Sequence, residues 1–139
     1  MKLLLSLLIL FIPLFAQGEA YAYKEKKGHF AYFVKFPKDS KQLQRTAGKK
    51  AVVYYKNGTI TEAARYVTND RVQVAFSSAP DLAVFEKTFS LKPLVRLGEN
   101  VYIFENHSEL DDVELCAKLW EESGILYARP IFKSKKKLQ

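Results

Sequence analysis

The order of apolar patterns over residues 71–133 is the feature that most constrains how this chain can fold. Apolar and polar residues alternate over residues 71–76, as in a half-buried strand, and a helical spacing follows over residues 82–89. Strand-like runs follow at residues 91–97 and 101–104, a second helical pattern covers residues 110–120, and a last strand-like run covers residues 125–132. The sequence therefore predicts the element order β-α-β-β-α-β.

Both predicted helices carry start signals. Ser78 provides a hydroxyl cap, with Pro80 in the first turn and Asp81 three residues after the cap, and Ser108 with Asp111 repeats this spacing. The apolar stripe expected for the second helix consists of Leu110, Val113, Cys116, Ala117 and Trp120. Trp120 is therefore expected to lie in the core.

Two amphipathic helices on one face of a four-stranded antiparallel sheet would bury both helix stripes. The predicted fold class is α+β, a ferredoxin-like split βαβ sandwich preceded by a β-hairpin subdomain. The other face of the sheet has two interpretations. It is a docking surface, or the N-terminal hairpin folds over it and completes an ordinary core.

The preceding part of the chain reads as β structure. Residues 29–36 are rich in aromatic and β-branched side chains, and Pro37 ends that run. Residues 51–55 meet the turn Asn57-Gly58, which suits a two-residue hairpin with residues 59–61 as the returning strand. Residues 39–50 are polar and are expected to form a loop or a short helix.

The N-terminus has the pattern of a secretory signal. Lys2 precedes an apolar run over residues 3–14, which is too short to span a bilayer comfortably. Cleavage is expected after Ala22, with Ala16 as an earlier site and a retained N-terminal anchor as the alternative. We therefore expect a secreted or periplasmic protein without a stable membrane span after signal cleavage. The expected parts are a signal peptide (1–22), a β-rich extension with a hairpin (23–69), the β-α-β-β-α-β domain (70–133) and a basic tail (134–139).

The net charge and the cysteine content bear on the possible partners and on how the fold is stabilised. The net charge of +7 is compatible with acidic partners, anionic surfaces or nucleic acid and separates none of them. Cys116 is the one cysteine, so an intramolecular disulfide is excluded and the fold must be held by its core. We interpret Cys116 as a small buried apolar residue.

Catalytic patterns are missing from the sequence. His29 and His107 are its two histidines, and neither a Gly-x-Ser-x-Gly elbow nor a metal-binding His or Cys spacing occurs. We therefore expect no enzyme activity, no cofactor, and neither catalytic nor metal-binding residues.

The run from Trp120 to Pro130, Trp-Glu-Glu-Ser-Gly-Ile-Leu-Tyr-Ala-Arg-Pro, carries a family resemblance. Together with the elements before it, over roughly residues 49–133, it resembles the propeptide-like domain that precedes the catalytic domain of secreted subtilisin-family serine proteases. In such domains the sheet packs on two helices of the protease, an acidic residue near the β2-β3 turn caps those helices, and the segment after the last strand enters the substrate cleft.

The resemblance implies protease-binding residues in two places. By position, Glu99 is the expected helix-capping residue. The expected cleft-binding segment is the C-terminal tail, Ser134, Lys135, Lys136, Lys137, Leu138 and Gln139. A carboxylate can satisfy orphan amide groups at helix ends, and an extended tail can add a strand to a cleft edge.

Three classes of function follow from these patterns. The leading one is an exported propeptide-like protein that binds, and chaperones or inhibits, a subtilisin-type serine protease. The alternative is a non-enzymatic periplasmic or envelope protein that binds another anionic or protein partner. Nucleic-acid binding is the third and is disfavoured by the export signal, so we expect no nucleic-acid partner.

Overall fold

The computed structural model describes residues 18–26, 28–36, 43–44 and 50–133, with only the backbone described at residues 43, 44 and 50. The strands are β1 (Glu19–Lys26), β2 (His29–Lys35), β3 (Leu43–Gln44), β4 (Lys50–Ala51), β5 (Val53–Lys56), β6 (Arg65–Val67), β7 (Arg71–Phe76), β8 (Leu91–Gly98), β9 (Val101–Asn106) and β10 (Ile125–Pro130). The helices are α1 (Leu82–Phe89) and α2 (Asp112–Leu119).

The fold is α+β, with two four-stranded antiparallel sheets and two helices in the described residues. The first sheet has the strand order β1-β2-β5-β6, and the second sheet has the order β10-β7-β9-β8. The two residues of β3 pair with the two residues of β4. A loop or short helix was expected there, and so short a strand pair leaves no periodic pattern in the sequence.

The hairpin at Asn57-Gly58 has a longer loop than the sequence predicts. Asn57 and Gly58 both adopt positive φ, 57° and 73°, as the turn requires. The returning strand, however, is β6 and not residues 59–61, so that part of the prediction is wrong. The side chain of Ile60 is 64% exposed, whereas the ring of Tyr66 packs 5.2 Å from that of Phe33. Pairing through β6 therefore buries more apolar surface than pairing directly after the turn.

The helix caps differ from those predicted. The N-cap of α1 is Asp81, whose carboxylate accepts the N–H of Val84 at 3.2 Å, so Ser78 and Pro80 precede the helix. The N-cap of α2 is Asp111, not Ser108. A carboxylate accepts the helix N–H groups as well as a hydroxyl does and also favours the positive end of the helix dipole. In both helices the later acidic residue therefore acts as the cap.

Helix α2 lies between the two sheets. It contacts β1 on one side and β10 and β7 on the other. Leu115 and Leu119, which the predicted stripe omits, are therefore as fully buried as Val113 and Cys116. Trp120 was expected in the core but is only partly buried, and its indole N–H donates to the carbonyl of Ala22 at 3.2 Å. Packing against two sheets widens the buried arc of α2 beyond a single stripe.

A fully buried carboxylate joins α2 to the second sheet. Asp112 accepts the backbone N–H groups of Asn69 at 3.0 Å and Arg71 at 3.3 Å, and the side-chain amide of Asn106 at 2.9 Å. These donors stand at the start of β7 and the end of β9. Asp112 thus fixes the N-terminus of α2 against two adjacent strands.

A charged cluster joins α2 to the first sheet. The Lys35 ammonium of β2 lies 3.2 Å from the Asp111 carboxylate and 3.1 Å from that of Glu114. The Tyr54 hydroxyl donates to Asp111 at 2.8 Å, and the Tyr21 hydroxyl donates to Glu114 at 3.1 Å. Burial lowers the pKa of Lys35, but the two carboxylates outweigh it, so the net shift is upward. The cluster therefore holds its lysine as a cation between the sheet and the helix.

We expect Glu114→Gln to destabilise the protein by about 1 to 2 kcal/mol at pH 7, since it weakens the capping box and the contact with Lys35. Burial raises the pKa of Glu114, but the backbone N–H of Asp111 and the Lys35 ammonium outweigh it and leave that pKa lowered. A lowered folded-state pKa stabilises the protein above the unfolded-state pKa, and this stabilisation is lost as the pH falls. The difference between wild type and variant should therefore shrink below about pH 4.5.

Urea unfolding between pH 3 and pH 7 measures this difference. Glu121→Gln is the matched control, because Glu121 is an exposed acid just beyond the same helix. A Glu114→Gln difference that stays constant over the whole pH range would contradict the assigned contacts.

Candidate functional site

The two faces of the second sheet have different surroundings. On the helix-covered face, Val72, Val74 and Phe104 are fully buried, and the Phe85 ring of α1 lies 5.0 Å from Phe76 and 5.1 Å from Phe104. The alternate residues point to the opposite face, which we call the open face. By register it comprises Arg71, Gln73, Ala75, Lys92, Val95, Val101, Ile103, Glu105, Tyr127 and Arg129.

An apolar area lies on the β8 side of the open face. Val95 pairs with Ile103, and Gly98 pairs with Val101. The side chain of Val95 is 47% exposed and that of Leu97, on the same strand, is 54% exposed. Exposed apolar residues that are adjacent in a sheet are typical of a surface that binds another protein.

A polar network occupies the β10 side of the open face. The guanidinium of Arg129 donates to the amide oxygen of Gln73 at 3.0 Å. The amide nitrogen of Gln73 lies 3.4 Å from the Tyr127 hydroxyl. These contacts hold the Arg129 side chain across β7, so its charge has a defined position beside the apolar area.

The charges of the open face are mostly positive. Glu105 stands opposite Arg71 on one side and Lys92 on the other, and its carboxylate lies 2.6 Å from the His107 ring nitrogen. Arg129 adds a third cationic side chain. The arrangement therefore suits a partner surface that presents apolar groups together with acidic ones.

The first sheet packs beside this face and leaves its β8 side exposed. In the described residues, β1 contacts α2 and β10, and the Phe30 ring meets that of Trp120 at 5.2 Å. The described parts of β1 and β2 thus pack on the second helix. Val95 and Leu97 of β8 remain accessible, whereas Gln73 and Ala75 of β7, on the open face, are buried.

Glu99 lies at one end of the open face, in the two-residue turn between β8 and β9, and is exposed. The Arg96 side chain donates to the carbonyls of Gly98 at 2.9 Å and Glu99 at 2.8 Å. The next residue, Asn100, accepts the N–H of Phe76 at 2.8 Å. The turn is therefore held to β7, and the Glu99 side chain starts from a fixed backbone.

The chain leaves the second sheet at the opposite end. Ile131 donates its N–H to Arg71 at 2.9 Å, and Lys133 donates its N–H to Val67 at 2.9 Å. The Phe132 ring packs 5.2 Å from that of Phe33, which fixes the chain against the first sheet. The predicted cleft-binding residues 134–139 lie outside the described residues. The structure therefore separates Glu99 from the start of the tail by the length of β7, about 20 Å.

The sequence patterns missed the open-face residues Val95, Ile103 and Gln73 as site residues. The available signal was the alternation in β7, where Gln73 stands between two apolar residues and so had to face away from the core. Val95 was harder to assign, because the register of β8 against β9 shifts at two positions.

The described residues do not contain a cluster of three or more His, Cys, Asp or Glu side chains able to hold a metal ion. Cys116 is buried, and burial raises the pKa of its thiol well above the usual range. None of the helices in the described part of the chain has the length and apolar character needed to cross a membrane. Comparisons with protein-family models, with curated proteins and with solved structures gave no match to this chain.

Proposed function

We propose that this chain is an exported propeptide-like protein that binds, and chaperones or inhibits, a subtilisin-type serine protease. The open face of the second sheet and the C-terminal tail form the binding surface in this proposal. The observation that carries it is the exposed side chain of Val95, which pairs in register with Ile103 on the sheet face opposite both helices.

The topology supports the proposal. From β7 onward the elements follow the order β-α-β-β-α-β, and the four strands lie in the order fourth, first, third, second. We propose that this part of the chain is ferredoxin-like, the fold that the resemblance to subtilisin propeptides implies. The helices of such a sheet cover one of its faces, and the β8 side of the other face is exposed in this chain.

The apolar area and the two ends of the open face suit two helices presented side by side. The apolar area would pack on the helix surfaces, and the exposed Glu99 carboxylate would accept N–H groups that the helix ends leave unpaired. The last described residue before the tail, Lys133, lies beyond the far end of β7, about 20 Å away, and the tail would bind in the substrate cleft by adding a strand to its edge. The apolar area, Glu99 and the tail thus make separate contacts with the protease, and each contact can be removed by its own substitution or deletion.

A charge placed in the apolar area tests the docking face. We expect Val95→Asp to weaken inhibition of a subtilisin-type protease from the same cell at least tenfold, because a buried unpaired carboxylate opposes docking. Val84→Asp is the matched control. Val84 is similarly exposed, at 59%, but lies on α1 on the other side of the sheet. Equal inhibition by Val95→Asp and wild type, with both proteins folded, would remove the open face from the proposal.

The same assay separates this function from the alternative, an envelope protein that binds an anionic partner. Glu99→Ala and deletion of residues 134–139 should each weaken inhibition roughly ten- to a hundredfold if the protease is the partner. Attraction through Arg71, Lys92 and Arg129 alone would instead be indifferent to Glu99 and would fall with added salt. Cleavage of the wild type as a mere substrate, without inhibition at any concentration, would favour the envelope function.

A further inference from the structure

Strand β1 includes residues that the predicted signal cleavage would remove. It runs over Glu19–Lys26, and its first four residues pair in continuous register with Lys35, Val34, Phe33 and Tyr32 of β2. Cleavage after Ala22 would cut this strand in half. The mature protein would then begin at Tyr23 with the outer edge of the first sheet incomplete.

Two of these four residues, Tyr21 and Ala22, contact α2 or its C-cap residue Trp120, and Tyr21 also contacts β5. The Tyr21 hydroxyl donates to Glu114 at 3.1 Å, and the Tyr21 ring meets the Tyr54 ring edge-on at 6.3 Å. The carbonyl of Ala22 accepts the indole N–H of Trp120 at 3.2 Å. Residues 19–22 are therefore part of the contact between the first sheet and the helix, which a discarded signal peptide would not be.

Small residues also stand before β1. A leader peptidase reads small side chains at the first and third positions before the cut. For a cut after Gly18, Ala16 is the third position and Gly18 the first, whereas a cut after Ala16 would have the large residue Leu14 at its third position. A cut after Gly18 therefore satisfies the rule, depends on Ala16 and leaves β1 whole.

We propose that Ala16 directs leader processing of this chain and that the peptidase cuts before β1, after Gly18. Water hydrolyses the peptide bond between Gly18 and Glu19: its hydroxyl goes to the carbonyl carbon of Gly18, and the amine of Glu19 receives a proton. This inference rests on the proposed export and replaces the cleavage site expected after Ala22.

The test is the N-terminus of the exported protein, read by intact mass and N-terminal sequencing. We expect Glu19 as the first residue of the wild type. Ala16→Leu should leave most of the chain unprocessed, because a large side chain then occupies the third position before the cut. Ala22→Leu is the matched control. Ala22 is exposed in the fold, and this change should leave the N-terminus where it was.

An N-terminus at Tyr23, lost in Ala22→Leu, would overturn the proposal. An unprocessed chain found outside the cytoplasm would also overturn it while leaving export intact, whereas a chain that remains in the cytoplasm would contradict export itself. Fractionation of the cells thus separates the two failures.

Two leaderless chains give a second measurement that does not depend on the peptidase. A chain beginning at Glu19 should unfold at a urea midpoint higher by about 1 M or more than a chain beginning at Tyr23. Equal midpoints would show that residues 19–22 contribute nothing to the fold and would argue against the proposed cut.

Discussion

Replacing Asp112 with alanine should destabilise the protein by about 3 to 5 kcal/mol, because several buried donors would lose their acceptor at once. The carboxylate is fully buried and accepts the N–H groups of Asn69 and Arg71 and the side-chain amide of Asn106. Water cannot replace it without opening the contact between α2 and the second sheet. For a domain with a total stability of about 5 to 15 kcal/mol, this loss is large enough to leave part of the chain unfolded at 37 °C.

Chemical denaturation of three variants isolates the cause. Asp112→Asn keeps the side-chain volume but has one acceptor oxygen, so it can serve either the two backbone N–H groups or the Asn106 amide and turns its N–H₂ toward the other donor; its loss should lie between those of the wild type and alanine. Glu109→Ala removes an exposed acid from the loop before α2 and should change stability by less than about 0.5 kcal/mol. If Asp112→Asn were as stable as the wild type, the acceptor role assigned to the carboxylate would be wrong.

Leu119→Ala should cost about 3 kcal/mol, more than Trp120→Ala at about 1 to 2 kcal/mol, although tryptophan is the larger residue. Leu119 is fully buried where α2 meets both sheets, so its loss leaves a cavity. Trp120 is partly buried, against the exposed Phe30 ring and the Ala22 carbonyl. Solvent and neighbouring side chains can therefore fill much of the space that Trp120→Ala opens.

Both variants should be compared by urea unfolding at one pH, with circular dichroism as a check that they fold. The reverse order, with Trp120→Ala as the more damaging change, would place Trp120 in the core and contradict the burial described for α2.

The α+β class was predictable because its signals are local. Alternation over β7 and helical spacing over α1 each depend on residues within one element, and the structure has both. The positive φ angles at Asn57 and Gly58 were predictable for the same reason. The strand that returns after that turn was not, because β6 is selected by the packing of Tyr66 on Phe33, a residue of another strand.

Helix α2 shows where single-sequence reasoning stops. The predicted apolar stripe assumes that the helix packs against one sheet, whereas α2 packs against two. The prediction therefore omitted the buried residues Leu115 and Leu119 and placed the partly buried Trp120 in the core. The ion pair between Lys35 and Asp111 could not be predicted either, because the two residues are 76 positions apart in the chain. The Glu99 turn was predictable from Gly98 and Asn100, whereas the apolar area around Val95 depends on bulges that the sequence does not mark.

The position of α2 between the sheets also sets the order in which the chain can complete its fold. Tyr21 finds Glu114 across 93 residues and Ala22 finds Trp120 across 98. A chain that is synthesised from its N-terminus therefore presents the β1-β2 hairpin, with its aromatic face uncovered, well before α2 exists. During that interval the hairpin is the segment most exposed to aggregation, and a holding chaperone that binds aromatic strands would act there first.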